Sequence, residues 1–94
     1  MQAQLIGPAP RSQHAMVYDS QRARIVLFGG YMGGSGFQSD TWEWDGTQWN
    51  QVQVSGPAAR SQHGMAYDRL RRRAVLFGGI GDLGRKADTW EYGE

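Results

Sequence analysis

The chain has 94 residues, room for one small domain, with ten Lys and Arg against nine Asp and Glu and a formal net charge of +1. So even a balance gives no global case for nucleic-acid or acidic-membrane binding. The absence of cysteine excludes disulfides and thiolate metal sites, and no apolar run approaches the roughly 20 residues needed to span a bilayer.

From the N-terminus, Met1-Gln2-Ala3-Gln4-Leu5-Ile6 lacks the basic start and apolar stretch of a signal peptide. The chain therefore reads as soluble and, as expressed, cytoplasmic; the compartment of any parent protein stays open. Residues 1–7 are expected to form a strand, because Gln2, Gln4, Gly7 and Pro8 return in the same spacing as Gln51, Gln53, Gly56 and Pro57. His14 to Tyr18 is a short mixed strand, with a turn at Asp19-Ser20-Gln21. Arg24 to Phe28 is an apolar run ended by Gly29-Gly30, which suits a strand buried on both faces. Tyr31 to Phe37 is a Gly-rich loop. Thr41 to Trp44 alternates, Asp45-Gly46 signals a hairpin, and Trp49 to Val54 alternates again before stopping at Ser55-Gly56-Pro57. No segment carries a helical period.

The same series then begins again. Arg11-Ser12-Gln13-His14 recurs as Arg60-Ser61-Gln62-His63, and Val26-Leu27-Phe28-Gly29-Gly30 as Val75-Leu76-Phe77-Gly78-Gly79. Asp40-Thr41-Trp42-Glu43 recurs as Asp88-Thr89-Trp90-Glu91, one residue early, so the loss falls in the loop from Ile80 to Lys86. Internal repetition at this period, with short strands and Gly-aromatic punctuation, is the mark of a repeat architecture.

Arg-x-x-His, an apolar strand ending in Gly-Gly, then Asp-x-Trp and a further Trp resembles the kelch repeat, in the bacterial variety with Arg-Ser-x-His, Leu-Phe-Gly-Gly and Asp-Thr-Trp-Glu-Trp. The resemblance covers nearly the whole chain. It implies an all-β fold of kelch-type β-propeller blades, each of four antiparallel strands, two blades per chain, with the ring completed by oligomerisation. In this frame residues 1–7 are an outer strand, 8–54 a full blade and 56–94 a partial blade, completed by the N-terminal strand of a neighbouring chain. The implied partner is the chain itself, as a homotrimer of six blades; a tetramer of eight is the alternative. Open strand edges and apolar flanks on a two-blade piece favour such association.

Candidate residues follow from the recurring positions. His14 and His63 sit on the innermost strands and read as packed between blades rather than as metal ligands, since two His without Cys make a poor zinc pattern. Asp40 and Asp88 are expected to accept local backbone hydrogen bonds. Gly29, Gly30, Gly78 and Gly79 are expected to permit backbone geometry closed to other residues, since P-loop and dinucleotide spacings are both missing. Trp42, Trp90 and Trp49 read as blade core and cover. Strand direction puts the longer, more varied loops at one end of the ring, the face where the resemblance places ligand contacts. Arg11, Ser12, Tyr31, Phe37, Arg60, Ser61, Ile80 and Arg85 are the ligand-contact candidates there. Arg69, Arg71, Arg72 and Arg73 surround a hairpin turn and read as a solvated tip, with nucleic acid the weaker reading.

The expected function is a self-assembling scaffold that presents loops to a protein or glycan ligand. An excised or designed piece with no native ligand is the alternative, and a lectin-like ring or a metal-dependent enzyme ranks below both. Kelch rings resembling galactose oxidase need a Cys–Tyr cofactor, which this chain cannot form. No nucleophile–base–orienter set is legible, and no cofactor or metal is expected.

Overall fold

The computed structural model describes residues 7–54 and 56–93. It is all-β, built of antiparallel sheets, and among the described residues the only helical turn is a 3-10 turn at Gly33–Ser35. The expected outer strand at residues 1–7 lies, apart from Gly7, outside the described residues. Among those described, no helix is long and apolar enough to cross a membrane.

The first sheet has four strands in chain order: β1 (Ala15–Asp19), β2 (Arg24–Phe28), β3 (Thr41–Trp44) and β4 (Trp49–Val52). The second has three among the described residues, β5 (Gly64–Asp68), β6 (Arg73–Phe77) and β9 (Thr89–Gly93). Between β6 and β9 lies a two-strand hairpin, β7 (Ile80–Gly81) and β8 (Gly84–Arg85). From its glycines this stretch is expected to be a plain loop. With one residue fewer than its counterpart, it closes tightly over Asp82 and Leu83, and Gly84 supplies a φ of 103°.

Register is the same in both sheets. Phe28 pairs with Ala15 and Thr41, and Phe77 pairs with Gly64 and Thr89. Each β1–β2 type turn is held by an aspartate. Asp19 Oδ1 accepts from the amides of Gln21 and Arg22 at 3.0 and 3.2 Å, and Asp68 Oδ1 from those of Leu70 and Arg71 at 3.1 and 3.2 Å. The aspartate oxygen stands in for a backbone acceptor, so the residue after it can turn.

Alternation along the strands gives each sheet two faces. The first sheet turns Val26, Phe28 and Thr41 toward the second, at 1%, 3% and 3% exposure. The second answers with Ala74 and Leu76, at 2% and 5%. Leu27, on the other face of β2, is 4% exposed, so this strand is buried on both sides. Polar stitches run along the same seam. The Gly30 amide donates to the Arg60 carbonyl at 2.9 Å, and the Gln62 amide to the Gln13 carbonyl at 2.9 Å. The His63 ring reaches the Phe28 carbonyl at 2.9 Å and stacks edge-on against the Phe28 ring.

Because Phe28 fills the space between the sheets, Phe28→Ala is expected to cost about 3–5 kcal/mol of stability, read by urea denaturation of the chain.

Candidate functional site

Two equivalent clamps dominate the end of the molecule where the variable loops lie. In the first, Arg11 donates to both oxygens of Asp40 at 2.6 and 2.9 Å, to the Gly29 carbonyl at 3.1 Å and to the Ala9 carbonyl at 3.1 Å. Trp42 Nε1 donates to Asp40 Oδ2 at 2.8 Å. In the second, Arg60 donates to Asp88 at 2.6 and 2.8 Å, to the Gly78 carbonyl at 3.0 Å and to the Ala58 carbonyl at 3.1 Å, and Trp90 Nε1 to Asp88 at 2.7 Å. A planar guanidinium matches a carboxylate two bonds at a time, which fixes orientation as well as distance.

This corrects two expectations. Arg11 and Arg60, read as ligand contacts, are spent inside the fold: their side chains are 4% and 0% exposed. Asp40 and Asp88 serve an arginine and an indole from side chain to side chain, rather than local backbone amides alone. Burial raises the Asp40 carboxyl, but the Arg11 and Trp42 bonds outweigh it and hold the group below its ordinary range. At Asp88 the Arg60 bond leads and the direction is again downward.

The glycine pairs let the clamp and the sheet seam approach. Gly29 has a φ of 73°, and a Cβ there would stand 2.7 Å from the Arg60 carbonyl oxygen and 2.9 Å from the His63 ring. Gly79, with a φ of 104°, would meet the Ser61 carbonyl oxygen at 2.8 Å. Gly30 and Gly78 also have positive φ.

The remaining loop candidates fall into two matching groups. Ser12 and Tyr31 exchange backbone hydrogen bonds at 3.1 and 2.8 Å, and the Tyr31 and Phe37 rings lie 5.2 Å apart. In the second repeat Ser61 and Ile80 exchange bonds at 2.9 and 2.8 Å, and Ile80 pairs with Arg85. Tyr31 and Arg85 are exposed and Phe37 and Ile80 half-buried. Ser12 is exposed, but Ser61 is 2% exposed, so its hydroxyl offers nothing to solvent.

His63 is buried, and its Nε2–H donates to the Phe28 carbonyl, which leaves Nδ1 as the unprotonated nitrogen. Desolvation, with Arg60 and His14 nearby, pushes this imidazole below its usual value. His14, its counterpart, is exposed. Trp49 lies across from Trp44 in register, with ring centroids 5.5 Å apart, and packs under Gly7, where a Cβ would come within 2.8 Å of its ring. Among the described residues no three of His, Asp and Glu gather as a metal-ligand set.

Sequence reasoning missed a second polar network, which crosses the seam at the opposite end. Arg22 joins Asp19 at 2.8 Å and Glu43 at 2.7 Å, and the Tyr92 hydroxyl of the second sheet donates to Glu43. Burial and this carboxylate push the Tyr92 phenol up to about 12. The signal was present, since Arg22 and Arg71 also recur at the repeat spacing. Arg71 likewise bonds Glu91, and Arg73 lies 3.5 Å from it. Two members of the arginine tip are thus engaged within their own sheet.

No protein-family model matches the chain, and no curated protein matches it in sequence.

Asp40→Ala strands a buried guanidinium and is expected to cost about 3 kcal/mol at neutral pH. A carboxyl lowered in the folded state contributes above its unfolded value and loses that contribution as pH falls. The gap between variant and parent should therefore narrow below pH 3.8 in acid-titrated unfolding curves. His63, also lowered, favours the fold while neutral. Parent stability should decline as pH drops below 6.5, and His63→Gln should flatten that decline in the same assay.

Proposed function

We propose that this chain is a unit of a kelch-type β-propeller, a self-assembling scaffold that presents loops at the channel mouth. The observation that carries this is the stacking of two sequence-equivalent antiparallel sheets, alike in register and each closed by its own Arg–Asp clamp. A propeller repeats that stacking around an axis. In this reading each sheet is a blade. The partner is the chain itself, three copies giving six blades, the ring size the kelch resemblance favours over the eight of a tetramer.

The binding surface then narrows to the groups left to solvent at the loop end: Ser12, Tyr31, Phe37, Ile80 and Arg85. An aromatic pair beside an aliphatic–arginine pair, repeated around a ring, suits a protein or glycan ligand held weakly at each copy and strongly in sum. The carboxylates and arginines that would serve catalysis are committed to one another in the clamps, which supports a scaffold over an enzyme.

Native mass spectrometry tests the reading directly. A single species of three copies is the expected result; a single copy at every concentration tried would overturn it.

A further inference from the structure

The two sheets leave two open faces, and each is the sequence equivalent of a face that is already covered. On the second sheet, Phe77 is 56% exposed where Phe28 is 3%, and Glu91 is exposed where Glu43 is 6%. On the first sheet, Met16 and Tyr18 are 52% and 56% exposed. Their equivalents Met65 and Tyr67 are drawn toward the seam, where Met65 shares a cleft with Phe28 and Tyr67 stands against Asp19. The chain thus carries, on its own surface, the complement of each of its open faces.

Resting on the propeller reading above, we propose that a second copy of this chain docks head to tail, its Met16–Tyr18 face on the Phe77–Glu91 face of the first. The internal seam supplies the template, contact by contact. His14 takes the place of His63 and donates to the Phe77 carbonyl. The Gly79 amide takes the place of the Gly30 amide and meets the carbonyl of Arg11 in the second copy. Among the described residues neither the His14 ring nor the Gly79 amide has a hydrogen-bond partner.

The charged network is matched in the same way. Arg71 already holds Glu91, as Arg22 holds Glu43. The position of Tyr92 is taken by Trp44, whose indole N–H replaces the phenol as donor to the carboxylate. Ile25 stands where the internal seam has Ala74, so the contact between copies carries the larger apolar side chain. Such a contact is heterologous, because each copy uses a different face.

The test uses the parent chain with Phe77→Asp and Met16→Asp, each blocking one face at a half-exposed side chain. Light scattering on a sizing column should read several copies for the parent and one copy for each variant alone. An equimolar mixture of the two variants should read two copies, because each retains one intact face. Far-UV circular dichroism matching the parent shows that the variants are folded. If the parent assembles and both variants keep its mass, the head-to-tail seam is overturned and the ring with it, since sheets close a ring only through that seam. A parent mass other than three copies, with both variants at one copy, overturns the three-copy ring and leaves the seam standing. If the mixture stays at one copy although the parent assembles, the seam is likewise overturned. A parent that is itself a single copy overturns both.

Discussion

Arg60 has no exposed side-chain surface, and the second sheet is arranged around that fact. A guanidinium stays charged in a protein and carries five N–H donors, so burying it without partners would cost far more than the fold has to spare. Four of those donors are met by Asp88, Gly78 and Ala58. To reach them, the glycine pair after β6 must turn with positive φ and β9 must begin where the Asp88 carboxylate can meet the guanidinium. The same residue's backbone joins the sheets, its amide donating to the Gln38 carbonyl at 3.2 Å and its carbonyl accepting from Gly30. One arginine thus fixes the loop, the start of a strand and the position of the neighbouring sheet.

The first repeat contains the same clamp in a different setting. Arg11 is as fully engaged as Arg60, but its backbone makes no corresponding bond to a preceding sheet among the described residues. His14 stands exposed where His63 is buried, and Phe77 is open where Phe28 is packed. These are not differences of sequence. They arise from position, because a repeat in a stack is covered on a given side only if a neighbour stands there. The repeat sequence therefore specifies two kinds of surface, and a pair of repeats satisfies one of each.

Much of the fold was legible in the chain. The apolar run of β2 and β6, the Gly-Gly stops and the Asp-Gly turn place the strands to within a residue or two, because backbone sterics and side-chain alternation act locally. The candidate site was legible only in part. Recurrence singled out Arg11 and Arg60, yet a recurring arginine looks alike whether it serves a ligand or an aspartate of its own fold. Only the position of Asp40 and Asp88 in space decides. Arg22, Glu43 and Tyr92 were harder still, since they belong to a turn and to two strands of different sheets.

What the sequence determined by itself was the all-β repeat: its period, its strands and the turns between them, since each depends on neighbours a few residues away. Which arginines are buried, which phenylalanine is covered and which histidine finds a carbonyl were decided only by the tertiary structure. Val-Leu-Phe-Gly-Gly is identical in both repeats, so no local rule separates Phe28 from Phe77. The difference lies in whether another sheet stacks against that face, and stacking joins residues far apart in the chain.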